Sequence, residues 1–276
     1  MSAIKICNKI FWCKKKGVIN FGDYLGPYLY KKITGINPVY TKSTNNTNDP
    51  VYLTVGSILQ QNFCKENAIV WGSGIITKSA KFSRPLSIKS VRGPFTHLRC
   101  TKLGYNCPKI YGDPALLLPK FYNSNITKKF KIGLVPHNND YNDVIKIYGL
   151  DANIQIINLN MNSPYDIETI IDKINECEYI ISSSLHGIIV SHAYNIKCRW
   201  AKFEKQIYGD DIKFLDYYYS QGLINKIYTK KIDLSNKHLT LEELINLVKD
   251  MDVPTNKINL DLLLDVCPFN TNIKSK

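Results

Sequence analysis

The sequence predicts an α/β protein built of two domains that face each other across a cleft. Short apolar strands alternate with amphipathic helices in the second half of the chain, which is the pattern of a parallel β-sheet. In the first half, four apolar strands each end in a turn that contains glycine. The length of 276 residues also suits two domains of ordinary size.

The first half begins with a polar stretch, Asn20–Asp23, which we expect to form a turn ahead of a helix at Leu25–Ile33. Strands that run into glycine turns follow at Val51–Val55, Ala68–Trp71, Leu86–Val91 and Lys109–Tyr111. In a parallel sheet such junctions gather at the carboxyl edge, where ligands bind. The polar, lysine-rich stretch Lys120–Lys131 predicts a linker, and we therefore divide the chain into domains 1–125 and 126–276.

The second half carries the more regular alternation. The predicted strands are Lys131–Pro136, Asn153–Leu159, Glu178–Ser182 and Cys198–Ala201. Between them we expect a helix with Ser163 as its N-cap and Pro164 in its first turn, and a second helix at Leu185–Tyr194. The first helix presents one apolar face, formed by Ile167, Ile170, Ile171 and Ile174. Thr240–Glu243 reads as a capping box that opens a helix through Val248.

Composition and charge restrict the class of protein. Hydrophobic residues make up 44%, enough to bury a core, which excludes wholesale disorder. No apolar run approaches the roughly 20 residues of a membrane span, and the N-terminus lacks the apolar region of a secretory signal. We therefore expect a cytoplasmic protein without a membrane span. None of the eight cysteines forms a C-x-x-C pair, so we expect no metal site.

The net charge is +13, from 36 Lys and Arg against 23 Asp and Glu. This balance favours an anionic partner, which could be nucleic acid, an anionic surface or a small anionic substrate. The basic residues are spread along the chain without a nucleic-acid-binding motif, so nucleic acid is the disfavoured partner. Nucleotide-binding glycine patterns and the G-x-S-x-G motif of hydrolases are also missing.

The strongest local signal for chemistry is the segment Ser182–Gly187, where a buried strand runs into three serines and then a helix. Free amides at a helix start, together with the hydroxyls of Ser183 and Ser184, can bind an anion. His186 in the first turn can reach the same anion and act as an acid or a base. The alternative is that the serines only cap the helix and His186 only packs.

Further candidates are charged residues near the predicted cleft. Arg92 follows the strand that ends at Val91, where its guanidinium suits bidentate binding of a carboxylate or phosphate, unless it is a simple surface arginine. Lys205 and Lys213 follow His186 in the chain and could also bind an anion, unless they are solvated. Asn20 and Asp23 could bind an acceptor, or they could form a turn and an N-cap.

Six stretches, taken in order, resemble motifs of the polysaccharide pyruvyl transferase family. They are Asn20–Asp23, Val55–Leu59, Val70–Gly74, Val91–Pro94, Gly112–Pro119 and Ser182–Gly187. Together they extend the resemblance from about residue 20 to about residue 220. Each stretch alone is short, and their order along the chain makes the resemblance specific.

The resemblance implies a GT-B-like fold of two Rossmann-like domains with the active site in the cleft. It implies phosphoenolpyruvate as the donor substrate, a sugar of a glycan as the acceptor, a pyruvate ketal and phosphate as products, and neither cofactor nor metal. By motif, the catalytic arginine and histidine of the family fall on Arg92 and His186. The family's lysine falls best on Lys213 within Asp211–Phe214, with Lys205 as the second choice.

Other functions remain open at this point. A glycosyltransferase of the same architecture could use a nucleotide-sugar donor, although no nucleotide-recognition site is evident in the second domain. The charge of +13 would suit a glycan or nucleic-acid binder without enzymatic activity. An inactive relative is a further alternative, against which the presence of both Arg92 and His186 argues.

Overall fold

Two parallel sheets of five strands each form the framework of the part of the chain that the computed structural model describes, residues 7–14, 17–45, 49–205, 207–254 and 258–269. The strands are β1 (Lys9–Phe11), β2 (Ile19–Asn20), β3 (Val39–Tyr40), β4 (Val51–Leu53), β5 (Ala68–Trp71), β6 (Ser87–Ser90), β7 (Phe130–Val135), β8 (Ile154–Ile156), β9 (Asn160–Met161), β10 (Cys177–Ser182), β11 (Lys197–Lys202) and β12 (Ile232–Asp233). The first sheet has the order β3-β1-β4-β5-β6 and the second the order β12-β11-β10-β7-β8. All pairs within both are parallel, which confirms the α/β class.

Helices connect the strands. They are α1 (Phe21–Thr34), α2 (Pro94–Lys102), α3 (Tyr141–Tyr148), α4 (Asp166–Asn175), α5 (Leu185–Ala193), α6 (Ile212–Ser220), α7 (Lys226–Thr229), α8 (Leu241–Asn246) and α9 (Leu260–Asp265), with a 3-10 helix at Pro114–Lys120. Among the described residues, no helix has the length and hydrophobicity to span a bilayer. The expected strand Lys109–Tyr111 is reduced to a single bridge between Tyr111 and Val91.

Helix α4 confirms one prediction and corrects another. Its four isoleucines at helical spacing, Ile167, Ile170, Ile171 and Ile174, are all buried. The prediction that Ser163 caps the helix is wrong, because α4 begins at Asp166. The Asp166 carboxylate accepts hydrogen bonds from the backbone amides of Asn162 and Ser163, both at 3.0 Å. The Ser163 hydroxyl in turn accepts from the Tyr165 amide at 3.2 Å, and together these contacts hold residues 162–165 in a turn ahead of the helix.

Two other helix starts are also defined by side-chain caps. The predicted turn at Asn20–Asp23 is instead the start of α1, with Asn20 as N-cap accepting a hydrogen bond from the Asp23 amide at 3.3 Å. The predicted capping box of Thr240 and Glu243 is confirmed, although α8 ends at Asn246 rather than at Val248.

Each half of the chain contributes elements that pack against the other half. Strands β2 and β9 form an antiparallel pair that joins residues 19–20 to residues 160–161. The apolar face of α1, including Phe21 and Leu25, belongs to the core of the second half. In return, α9 packs on the first half, where the Trp71 indole donates to the Leu263 carbonyl at 2.8 Å. The sheets lie on either side of residue 125, and the division into domains 1–125 and 126–276 stays a prediction.

Candidate active site

A cavity of about 190 Å³ lies between the two halves. Its walls come from the start of α1, the loop after β4, the loop after β7, and the starts of α5 and α6. The polar side chains at its surface include Asn20, Asp23, Ser57, His137, Asn138, Ser184, His186 and Lys213. Most of these residues follow the carboxyl ends of parallel strands or begin helices, as expected for a ligand site of an α/β protein.

The three serines at the end of β10 and just beyond it have different roles. The Ser182 hydroxyl donates to the Val135 carbonyl at 2.9 Å, and the buried Ser183 hydroxyl accepts from the His137 amide at 2.8 Å. Ser184 is the N-cap of α5 and accepts from the Gly187 amide at 3.4 Å. Ser184 therefore lines the cavity, whereas Ser183 stabilises the loop after β7 by its hydrogen bond to the His137 amide. The first turn of α5, which also lines the cavity, carries the positive end of the helix dipole.

His186 stands between Gly22 and Asp113. Its Nε2 lies 3.8 Å from Oδ2 of Asp113, a carboxylate that is fully buried and whose Oδ1 accepts from the Ala115 amide at 3.0 Å. That separation is too long for a hydrogen bond, but it places the imidazole beside a buried carboxylate. Nε2 is itself buried, and 13% of the His186 side chain is exposed at the cavity.

Gly22 makes room for the imidazole. A Cβ atom at this position would lie 2.7 Å from His186 Cγ and closer still to Nδ1, well inside ordinary van der Waals contact. Our sequence reasoning assigned no role to Gly22 or Asp113, although both lie in motif stretches. The available signals were the glycine in a helix start and the Gly-Asp-Pro sequence after a strand end.

Lys213 enters the cavity from the first turn of α6. Burial and, to a smaller extent, the nearby positive charge of Arg92 lower the pKa of its amine to about 8, against the opposing effects of Asp211 and Asp23. The group is thus a cation at neutral pH that loses its proton more easily than an ordinary lysine. A cation of this kind can bind an anionic ligand that enters the cavity.

Arg92 lies behind the cavity wall and is fully buried. Its Nε donates to Asp216 at 3.2 Å, one Nη donates to the Ser57 hydroxyl at 2.7 Å, and the other donates to the Ile75 carbonyl at 2.7 Å. The structure therefore corrects both expectations for this side chain, since it is neither a surface arginine nor a guanidinium open to the cleft. Ser57, its hydrogen-bond partner, does line the cavity. Donor binding by Arg92 stays a prediction.

Asp216 explains why the Arg92 charge is buried. This fully buried residue of α6 belongs to the second half, and it also accepts hydrogen bonds from the amide and the hydroxyl of Thr96, at 2.9 Å and 2.6 Å. A buried carboxylate with these donors neutralises the guanidinium and joins α6 to α2. The pair therefore fixes the start of α6, from which Lys213 extends.

The structure separates the two candidate lysines. Lys205 lies outside the cavity lining, and its amine donates to the Asn139 carbonyl at 2.6 Å and to the Asp143 carboxylate at 2.9 Å. Asn20 and Asp23, by contrast, both line the cavity beside Lys213. Within the described ranges, no cluster of three or more His, Cys, Asp or Glu side chains is placed to hold a metal ion.

Comparison with known proteins gives one family and two relatives. The model of the family described as "Polysaccharide pyruvyl transferase" matches residues 6–201. An uncharacterized protein of Acanthamoeba polyphaga mimivirus is 25% identical over 232 residues, which cover 83% of this chain and 80% of that protein. The succinoglycan biosynthesis protein ExoV of Rhizobium meliloti (strain 1021) is 28% identical over 197 residues, which cover 67% of this chain and 56% of ExoV. No solved structure matches the chain.

Proposed function

Because the chain belongs to the polysaccharide pyruvyl transferase family, we propose that it moves the pyruvyl group of phosphoenolpyruvate to a sugar of a glycan. The products are a pyruvate ketal, which bridges two hydroxyls of one sugar, and phosphate. The relative ExoV is named for the biosynthesis of succinoglycan, which agrees with a glycan acceptor. The proposal includes a GT-B-like arrangement of the two halves, with the donor held in the cavity between them.

One observation carries the proposal: His186, backed by Asp113, and the cation of Lys213 line the same cavity. Phosphoenolpyruvate has a carboxylate and a phosphate, so its site needs positive charge at more than one point. Lys213 supplies one such point, and the first turn of α5 supplies another. The donor also needs a group that exchanges protons, and the His186 imidazole, which lines the cavity, can serve as this group.

The proposed reaction requires protons to be taken up and released at defined atoms. Protonation of the donor's methylene carbon turns it into a methyl group and makes the neighbouring carbon electrophilic. One sugar hydroxyl adds to that carbon and loses its proton, and a second hydroxyl replaces phosphate and also loses its proton. Of the two protons released, one balances the proton taken up by the methyl group, and the other leaves on hydrogen phosphate. His186 is the residue proposed to carry protons, and the buried Asp113 carboxylate lies beside its ring.

Donor screening tests the proposal. The full chain is incubated with phosphoenolpyruvate and a panel of galactosides, mannosides and glucosaminides, and phosphate release and the mass of the sugar are measured. We expect phosphate release together with a sugar mass increased by pyruvate less one water. The His186→Ala variant, with its fold verified by circular dichroism, should lose both signals.

The same screen examines the main alternative. Parallel incubations contain nucleotide sugars in place of phosphoenolpyruvate, with the same acceptors. Turnover of a nucleotide sugar but not of phosphoenolpyruvate would replace pyruvyl transfer by glycosyl transfer. Wild-type turnover by a well-folded His186→Ala variant would remove His186 from the mechanism.

A further inference from the structure

Two further hollows adjoin the candidate active-site cavity and continue it as a groove. A hollow of about 600 Å³ shares Cys13, Val18 and Asn20 with the cavity. A second hollow of about 510 Å³ shares Tyr24 and Pro164 with the first. Each has a volume typical of a ligand site. We call the two hollows together the α1 groove.

Helix α1 forms one wall along the whole groove. Asn20 faces the cavity, and Tyr24, Tyr28 and Lys32 follow at intervals of four residues, which places them on one face of the helix. Twelve residues at 1.5 Å per residue make this wall about 18 Å long. The groove is therefore long enough for an extended ligand that starts in the cavity.

The opposite wall is the turn between β9 and α4, in the second half of the chain. Tyr165 in this turn is 83% exposed, a high value for a large aromatic side chain. It lies close enough to Tyr24 to raise the pKa of that phenol, in addition to the larger effect of burial. The two tyrosines thus face the same hollow from opposite walls.

Fixed polar groups accompany these aromatic rings. The Tyr28 hydroxyl donates to Glu168 at 2.7 Å, and the Lys32 amine pairs with the same carboxylate at 2.7 Å, which ties α1 to α4. Tyr24 is held by Trp12, whose ring it meets edge-on at 5.7 Å. The groove thus combines aromatic rings, of which those of Tyr24 and Tyr28 are held by neighbours, with hydrogen-bonding groups. A sugar has the matching chemistry, since its C–H face packs on aromatic rings and its hydroxyls bind polar groups.

We propose that the α1 groove binds the glycan acceptor, with the sugar to be modified beside Asn20 and further sugars of the same chain on Tyr24, Tyr165 and Tyr28. This inference rests on the proposed function, because it makes the cavity the place where the chain is modified. Continuity with the cavity distinguishes the groove from an unrelated surface depression. It also predicts that longer acceptors bind more tightly than single sugars.

Glycan binding without donor tests this inference. A glycan array with the full chain identifies the retained sugar, and calorimetry then measures Kd for its mono-, di-, tri- and tetrasaccharides. We expect Kd to fall with length for the wild type. In Tyr165→Ala the Kd of the tetrasaccharide should rise about three- to tenfold, the value of one aromatic contact, whereas the Kd of the monosaccharide should be unchanged. Tyr165→Phe should behave as the wild type, since it keeps the ring.

Tyr219→Ala is the matched control, because this tyrosine is also exposed, at 41%, and lies outside the cavity and both hollows. The inference is overturned if the array retains no glycan, or if Kd does not depend on the length of the glycan. It is also overturned if the Kd of Tyr165→Ala falls with glycan length as steeply as that of the wild type. These outcomes are separable from failure of the proposed function. Length-dependent glycan binding without turnover of phosphoenolpyruvate would support the groove as a glycan site and refute the proposed reaction. Turnover of phosphoenolpyruvate without an effect of glycan length would support the reaction and refute the groove.

Discussion

Gly22→Ala should separate catalysis from folding more cleanly than removal of the histidine. The new Cβ would lie 2.7 Å from His186 Cγ, where ordinary contact begins at 3.4 Å, so the ring has to move by at least 0.7 Å (3.4 − 2.7). Misplacement of a catalytic group by about 1 Å can cost about 100-fold in rate. We therefore expect kcat to fall about 100-fold, which is about 2.7 kcal/mol of activation free energy.

The fold should tolerate this substitution. Gly22 lies in the first turn of α1, where alanine improves helix propensity by up to about 1 kcal/mol. This gain offsets part of the cost of displacing the imidazole, so we expect Tm to stay close to that of the wild type. The assay is phosphate release at saturating phosphoenolpyruvate and acceptor, with Tm followed by circular dichroism.

A double-mutant cycle provides the control. In a His186→Ala background the Gly22→Ala change has no ring to displace, so it should raise Tm by the gain in helix propensity that the displaced ring offsets in the single variant. If folded Gly22→Ala retains the wild-type kcat, turnover does not require the imidazole to lie against Gly22. If the change in Tm is the same with and without His186, Gly22 acts through another group.

Three further substitutions test the surrounding network. Asp113→Asn should lower kcat by on the order of tenfold or more, because the His186 imidazole loses the carboxylate beside it, while the KM for phosphoenolpyruvate stays unchanged; an increase in KM alone would contradict this role. Arg92→Met should lower the free energy of unfolding in urea by about 3–5 kcal/mol, because the buried Asp216 loses its partner, and wild-type stability would refute that. For Lys213, wild-type KM for the donor should rise as the pH passes about 8 and the cation is lost, and Lys213→Met should lack this rise.

The same lysine gives a stability prediction of defined sign. Its pKa is about 8 in the folded protein against an ordinary value of 10.5, so the unfolded chain binds more protons between these values. The free energy of unfolding of the wild type should therefore rise relative to Lys213→Met as the pH increases from about 8 to 10.5. Urea titrations of both proteins across this range would reveal it, and parallel curves would contradict the burial of the amine.

Local sequence patterns were sufficient to predict the α/β framework of the protein. The isoleucine face of α4 and the start of α5 after three serines follow from spacings within one element. They required no knowledge of the rest of the chain. The start of α4 was predicted too early because the polar side chains of Ser163 and Asp166 hold a turn ahead of the helix. The Ser163 hydroxyl accepts from the Tyr165 amide, and the Asp166 carboxylate accepts from the amides of Asn162 and Ser163. The same side-chain contacts would also fit a helix that begins at Pro164, so the sequence is compatible with either boundary.

The chemical environment of the site depended on partners far away in the sequence. The carboxylate that neutralises the buried Arg92 guanidinium belongs to Asp216, which lies 124 residues further along the chain. Similarly, His186 was found from its position at a helix start, but its neighbours Gly22 and Asp113 come from the other half. Sequence reasoning could therefore name the residue types at the site, whereas their exposure and charge state follow from the packing of the two halves.

A structure of the protein with a nonreactive analogue of phosphoenolpyruvate is the most direct test of the donor site. We predict that the analogue occupies the cavity between the halves, with one anionic group within reach of Lys213 and the first turn of α5, and with its methylene side towards His186. An analogue bound elsewhere, out of reach of both His186 and Lys213, would contradict the assignment of this cavity as the active site.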